Sequence, residues 1–275
     1  MANLLEFCKE VLKILKKLYK KIIMKKIIMK KISNLIVFIT ISLFSFETYA
    51  AKIKVKSVSE NPIFAFTNPN AKVNVIGFVG GAGIKKGVGK SQNPLARERK
   101  AFKQAGINYY IFPNPKTKKG ISLKYRKSKD HVKKISNLIK YLKKENNLPT
   151  ILVGHSRGSV SVAAAANVLG KNEVKGIVVM GSLTATSQKV KVPFTMRNML
   201  KKTSVPVLII HHKKDGCIVT PFAPVKSLSK KKGFSLAAIS GGGSTGNPCG
   251  PLHYHGFEGT MSQVITEIKR WAETL

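Results

Sequence analysis

Apolar residues along this chain follow two alternating patterns, short uninterrupted runs and longer segments with helical spacing. The runs are bounded mainly by glycine, proline or asparagine and predict strands at 53–58, at the edge of a sheet, and at 73–79, 108–112, 151–153, 174–180, 205–210 and 234–239. The helical segments predict helices at 95–104, 130–145, 159–169, 222–232 and 261–275. Alternating strands and helices predict an α/β fold with a mostly parallel central sheet and helices on both faces.

Residues 1–50 carry a different pattern and are predicted to be a leader outside this fold. From Met29 the chain has a short basic stretch, an apolar run at 35–46 and small residues up to Ala50. This order is typical of a secretory signal peptide at 29–50, and the run is shorter than the roughly 20 residues a membrane-spanning helix needs. Cleavage near Ala50 would leave 51–275 as one domain, exported to the bacterial periplasm or secreted.

Residues 1–28 precede that signal peptide and are rich in lysine and isoleucine. They have two interpretations. One is a miscalled upstream start, with Met24 or Met29 as the true initiator; the other is a basic amphipathic helix that lies on a membrane. We favour the first, because the stretch delays an otherwise complete signal peptide.

The charge of the chain is extreme, with 49 Lys+Arg against 12 Asp+Glu and a formal net charge of +37. Such a field attracts nucleic acid or an anionic membrane surface nonspecifically. The lysines are spread along the whole chain, without interleaved aromatic residues or a nucleic-acid-binding motif. We therefore expect no specific nucleic-acid partner, and the oligomeric state stays open.

The most informative stretch is Gly154-His155-Ser156-Arg157-Gly158, between the strand at 151–153 and the helix at 159–169. A chain that turns from strand to helix so abruptly holds its apex residue, Ser156, in strained dihedrals with the side chain clear of the sheet. The motif and its context resemble the nucleophile elbow of the α/β-hydrolase superfamily, and the resemblance extends over most of residues 70–275. It implies that Ser156 is a nucleophile and that His155 packs rather than reacts.

The superfamily's acid follows the serine in the chain, at the end of a later strand. The resemblance implies Asp215 for this role, since it lies a few residues beyond the strand at 205–210. The only other aspartate, Asp130, lies in the first turn of a predicted helix, where a structural role is expected. His211 and His212 end the strand that precedes Asp215 and are expected to play a core or supporting role.

The base is expected in the loop before the final helix. The resemblance implies His255, which directly precedes a glycine and an aromatic residue, and His253 stays open as the alternative base. The superfamily's oxyanion hole combines the N–H after the nucleophile with one from an earlier strand–helix loop. This implies Arg157 together with Gly81 or Ala82. The same comparison suggests a short cap around 182–202.

These expectations describe a serine hydrolase that forms an acyl-enzyme on a small-molecule or lipid ester, with peptide and thioester substrates left open. No cofactor is implied, and no His and carboxylate cluster has metal-ligand spacing, so no metal is expected. The alternative is a noncatalytic secreted binding protein that uses its basic surface to hold an anionic partner.

The cysteines add one further prediction. Cys8 lies in the leader, which leaves Cys217 and Cys249 in the exported domain. An even pair in an oxidising compartment favours a disulfide. If the acid and base loops lie side by side, the two sulfurs come within bridging range.

Overall fold

The computed structural model describes residues 10, 12–13, 15–31, 51–85, 87–115, 120–232 and 234–275. The chain divides into two units, Met1–Tyr49 and Ala50–Leu275. In the first unit the described residues are helical and exposed. The apolar run at 35–46 lies outside the described residues, so the signal peptide stays a prediction. Across the described ranges, no helix has both the length and the apolar character needed to cross a membrane.

The second unit is built on one mixed sheet. Its described strands are β1 (Ala51–Ile53), β2 (Ile63–Phe66), β3 (Asn74–Phe78), β4 (Asn108–Ile111), β5 (Thr150–His155), β6 (Gly176–Met180), β7 (Val207–His212) and β8 (Ser235–Ile239). Their order in the sheet is β1-β2-β4-β3-β5-β6-β7-β8. The pairs β1–β2 and β2–β4 are antiparallel, and all other pairs are parallel.

Helices cover both faces of this sheet. They are α1 (Pro94–Arg97), α2 (Arg99–Gln104), α3 (Leu123–Arg126), α4 (Lys129–Asn146), α5 (Gly158–Glu173), α6 (Arg197–Lys202), α7 (Phe222–Lys232) and α8 (Met261–Ala272). Successive strand residues point to opposite faces. Accordingly Ile76 belongs to the apolar cluster that contains α4 and α5, and Val75 to the one that contains α2 and α8. The predicted fold class, a mostly parallel α/β sheet with helices on both faces, is confirmed.

The first antiparallel strands differ from the prediction. The predicted strand at 53–58 is wrong in extent, because β1 ends at Ile53 and the chain then turns, with the Val58 N–H donating to the Val55 carbonyl. The strand β2 was missed, since its short apolar run lies among asparagines and prolines that indicate turns. Its pairing with β4 supplies the hydrogen bonds that stabilise it.

Some helices also differ from their predicted limits. The helix predicted at 95–104 is interrupted at Glu98, which has non-helical dihedrals. The helix predicted at 159–169 runs on to Glu173 across a kink at Gly170, where φ is 62°. The short helices α3 and α6 were missed, because neither is long enough to show a helical period.

The predicted cap segment, 182–202, packs onto the domain core. It contains a β-bridge between Ser187 and Val192 and ends in α6. Its apolar residues Val192 and Met196 are each 1% exposed and join the cluster that contains α5. A role of this segment as a cap over a pocket stays a prediction.

Candidate active site

The turn between β5 and α5 holds Ser156 in a left-handed conformation, with φ of 53°. Few residues with a side chain adopt this conformation, and it persists where the surroundings fix the backbone. Here the Ser156 N–H donates to the Met180 carbonyl of β6 at 2.8 Å. The Ser156 carbonyl accepts from the Ser159 N–H at 3.0 Å. The strain expected from the sequence is therefore present, and hydrogen bonds on both sides hold it.

Glycines surround this turn because three backbone segments meet there. A Cβ on Gly154 would lie 2.7 Å from the backbone of Gly158, and a Cβ on Gly158 would lie 2.0 Å from the Phe78 carbonyl oxygen. A Cβ on Gly80 would lie 3.0 Å from the Cβ of Ser156. The loop after β3 thus lies directly against Ser156, at the carboxyl edge of the parallel strands, where open α/β sheets place their sites.

Asp215 and His255 form a buried pair, with 8% and 2% of their surfaces exposed. The Nδ1 of His255 lies 2.9 Å from the Oδ2 of Asp215. The Thr220 hydroxyl donates to the same oxygen at 2.9 Å, and the Cys217 N–H donates to Oδ1 at 3.0 Å. The Nε2 of His211 lies 3.3 Å from Oδ2. Both carboxylate oxygens are therefore fixed.

These contacts decide the charge of Asp215. Burial by itself would raise the pKa of its carboxyl, but hydrogen bonds from His211 and His255 lower that pKa below its ordinary value. The carboxylate is therefore ionised at neutral pH. It can hold the imidazole of His255 with a proton on Nδ1, which leaves Nε2 free to accept one.

His155 does more than pack, because it ties the loop of His255 to the sheet. Its Nε2 lies 2.8 Å from the His255 carbonyl oxygen, and its Nδ1 lies 3.0 Å from the side-chain nitrogen of Asn93. The side-chain oxygen of Asn93 accepts from the Leu95 N–H, which assigns that nitrogen as a donor to His155. Burial, together with the nearby His255, lowers the pKa of His155 to about 3. His155 is thus neutral and donates through Nε2–H.

Arg97 supports the same loop from the outside. Its guanidinium donates to the carbonyl oxygens of Pro251, at 3.0 Å, and Gly256, at 3.3 Å. It also forms an ion pair with Glu258 at 3.4 Å. Residues on both sides of His255 are therefore held by one side chain.

Ser156 and His255 lie at the same edge of the sheet without a direct hydrogen bond. Gly181 follows Met180, whose carbonyl binds the Ser156 N–H, and a Cβ on Gly181 would lie 3.4 Å from the His255 ring. The Ser156 hydroxyl bonds to no other described residue. Contacts between a nucleophile and its base are often long before substrate binds, so this geometry is compatible with proton transfer.

The alternative base, His253, has different surroundings. Its ring packs edge-on against Tyr254, with centroids 5.1 Å apart, and lies beside Gly216. Its buried Nδ1 has no partner among the described residues. It makes no described hydrogen bond to Asp215, so of the two histidines only His255 contacts the candidate acid.

The loop at 80–84 supplies candidate oxyanion donors beside Ser156. The Gly83 N–H closes a turn onto the Gly80 carbonyl at 3.0 Å. Within the described chain, the N–H groups of Gly81, Ala82 and Arg157 donate to no acceptor. A Cβ on Gly81 would meet nothing within 4 Å, so open space adjoins this loop.

The predicted disulfide between Cys217 and Cys249 is confirmed, with Cα atoms 4.4 Å apart. It joins the loop of Asp215 to the loop of His255. Cys217 is buried and Cys249 is exposed. The bond closes a loop of about 33 residues, which the chain-entropy estimate values at roughly 3–4 kcal/mol.

Reduction of this disulfide is expected to lower activity at temperatures below those that unfold the domain. The reason is that residues 244–250 are mostly exposed, so the bond is a main tether of this segment. The test compares oxidised protein, reduced protein and the Cys217→Ser/Cys249→Ser variant by turnover and by circular dichroism. Equal turnover of all three, below a common unfolding temperature, would refute the expectation.

Sequence reasoning missed several residues that the structure brings to this site. Four residues were not singled out, and each bonds to the candidate triad, to its supporting His155, to the loop that carries His255 or to the loop at 80–84; they are Asn93, Arg97, Thr220 and Arg126. Across the described ranges, no group of three or more His, Cys, Asp or Glu side chains is arranged to hold a metal ion.

Solved structures with a similar fold are serine hydrolases and related enzymes. A serine hydrolase without a lid from Xanthomonas campestris is 13% identical, with a TM-score of 0.54 over 82% of this chain and 96% of that one. A soluble variant of the Saccharomyces cerevisiae monoglyceride lipase is 13% identical, with a TM-score of 0.57 over 83% and 96%. The dienelactone hydrolase of Anabaena variabilis is 16% identical, with a TM-score of 0.53 over 81% and 95%.

No protein-family model matches this sequence, and no curated protein matches it. The similarity therefore lies in the fold.

Proposed function

Because the chain has the α/β-hydrolase fold, we propose that it is a serine hydrolase that acts on esters through an acyl-enzyme. The observation that carries the proposal is the buried pair between His255 and Asp215, which lies at the same sheet edge as the strained Ser156. A serine hydroxyl is a poor nucleophile until a positioned base accepts its proton. The three side chains follow the superfamily's order in the chain.

In the proposed reaction, the Nε2 of His255 takes the hydroxyl proton of Ser156 as Oγ attacks the ester carbonyl carbon. The carbonyl π electrons move onto oxygen, which becomes an oxyanion. When the intermediate collapses, the bond to the alcohol breaks and His255 returns the proton to the departing oxygen. Water then repeats the sequence on the acyl-enzyme, releasing the acid and restoring Ser156.

The oxyanion is assigned to the N–H of Arg157 and to that of Gly81 or Ala82. All three are left without acceptors in the described chain, and a fixed donor that meets no partner in the resting state can serve the transition state without reorganisation. Arg157 is the N-cap residue of the helix α5, whose positive end also favours negative charge at this point.

An ester of a small molecule or lipid is the proposed substrate. The yeast neighbour is named for a monoglyceride and the Anabaena neighbour for a dienelactone, and both names denote esters. Peptides and thioesters undergo the same acyl chemistry and are retained as test substrates. The disulfide supports the proposed export to an oxidising compartment.

The test uses the full-length chain and p-nitrophenyl esters of increasing acyl length, with matched anilide and thioester substrates. We expect ester turnover by the wild type and none above background by Ser156→Gly, since glycine accommodates the backbone at φ 53° and keeps the fold. Equal rates for the two proteins would contradict the proposal. Absence of turnover by a folded wild type would favour the noncatalytic binding alternative.

A further inference from the structure

Arg126 is a buried cation with no carboxylate partner among the described residues. It ends helix α3 and is 2% exposed. Its Nη1 donates to the Ser161 hydroxyl at 3.1 Å, and its Nη2 donates to the carbonyl oxygens of Val79, at 2.9 Å, and Gly81, at 3.3 Å. Its Nε is buried without a described partner.

Fold stability alone does not account for such a group. Burial lowers the pKa of Arg126 to about 9, with the charge of Arg157 as the second cause, so the guanidinium is still charged at neutral pH. Its neighbour His131 is neutral, since burial and the charge of Arg126 lower the pKa of that imidazole to about 3. A buried charge that lacks a counter-ion lowers the stability of the fold, because the charge has been taken out of water without a compensating ion pair.

The contacts of Arg126 lead to the candidate oxyanion loop. A trans peptide unit is planar, with its C=O and N–H pointing in opposite directions. By binding the Gly81 carbonyl, Arg126 fixes the direction of the Ala82 N–H; by binding the Val79 carbonyl, it fixes the Gly80 peptide in the same way. Gly80 is the residue packed against Ser156.

The third contact ties this loop to the nucleophile's own helix. Ser161 lies in the first turns of α5, which begins two residues after Ser156. One guanidinium therefore joins the loop at 80–84 to the element that carries the candidate nucleophile. Its positive charge also lies behind the peptide groups that would face the oxyanion.

We propose that Arg126 is the positioning residue of the oxyanion hole. It orients the peptide group that carries the Ala82 N–H, and it holds the Gly80 peptide in place against Ser156. The inference rests on the proposed function and goes beyond it. It explains the buried charge by an interaction that strengthens only when the carbonyl oxygen of the substrate becomes an oxyanion.

The test uses two variants. Arg126→Met replaces the cation by an apolar side chain of similar length, and Arg126→Lys keeps the positive charge but removes the planar guanidinium with its several donors. We expect kcat to fall by about 100-fold to 1,000-fold in Arg126→Met, the range for loss of one oxyanion donor, with KM changed by less than about threefold. The kcat of Arg126→Lys should lie between those of Arg126→Met and the wild type, because one ammonium group cannot reach both carbonyl oxygens and Ser161 at once. The matched control is Arg270→Met on the exposed face of α8.

A trifluoromethyl ketone separates positioning from a merely structural role, because its serine adduct carries an oxyanion. Its affinity should fall in parallel with kcat/KM, measured at temperatures at which circular dichroism shows the variant to be folded. If Arg126→Met does not fold, Arg126→Lys carries the same test. A folded variant with wild-type kcat and wild-type ketone affinity overturns the inference and leaves the proposed function standing. A wild type that neither turns over esters nor binds the ketone overturns both.

Discussion

Replacing His255 with alanine is expected to lower kcat by about four orders of magnitude, while His253→Ala should retain most of the activity. Of the two histidines, only His255 contacts Asp215, at 2.9 Å. Only its ring lies against Gly181, the residue after Met180, whose carbonyl oxygen accepts from the Ser156 N–H. The substitution leaves the backbone carbonyl that accepts from His155, so the loop keeps this support.

The two variants are matched controls, since the histidines are two residues apart in one loop. Steady-state ester kinetics on both, with circular dichroism to verify folding, give the comparison. The reverse ranking, with His253→Ala the more damaged enzyme, would move the proposed base to His253.

The second large effect is expected for Asp215→Asn, which should lower kcat by roughly 1,000-fold to 10,000-fold. An amide can donate a hydrogen bond to Nδ1 and so stabilise the imidazole tautomer that cannot accept the serine proton. It also removes the negative charge that stabilises the imidazolium formed during proton transfer.

The chain contains one other aspartate, Asp130, so the same substitution can be made there as a matched control. Asp130 is exposed in the first turn of α4, where it pairs with Lys134 at 2.9 Å. Asp130→Asn should change kcat by less than about twofold, because exposed pairs contribute little and lie outside the proposed chemistry. A similar loss in both variants would indicate a general electrostatic effect and contradict the assigned role of Asp215.

The central fold was predictable because parallel strands buried on both faces leave uninterrupted apolar runs, as at β5, β6 and β7. The strand β2 could not be predicted from the sequence, since only its pairing with β4 distinguishes it from the turns around it. The helix α3 has four residues, too few to show a period. Long-range pairing and short elements are the parts that local pattern does not encode.

The candidate site was partly predictable for a similar reason. The sequence singles out Ser156 by its motif, and Asp215 and the disulfide cysteines by the scarcity of their residue types. By contrast, Asn93 and Thr220 act through contacts that are made only in the folded chain. The scarcity of arginine is a further signal. Of the 49 basic residues only six are arginine; two of these, Arg97 and Arg126, bond to loops of the site, and Arg157 directly follows Ser156.

The roles of His155 and Arg126 illustrate what sequence position alone conceals. His155 looked like the packing residue of the elbow, and the structure gives it two hydrogen bonds that hold the loop of His255. Arg126 lies between Lys124 and Lys127, in a basic and polar stretch of the sequence that is typical of an exposed loop. It is instead buried, because a short helix turns its side chain toward the loop after β3.

The central claim, that Ser156 is an activated nucleophile, is tested most directly by its reaction with a fluorophosphonate. The measurement is intact mass after labelling of the full-length protein, followed by peptide mapping of the adduct. The account predicts one equivalent of label on the peptide that contains Ser156, and none on folded Ser156→Gly. A folded wild type that takes up no label, or that carries it on another residue, would contradict the claim.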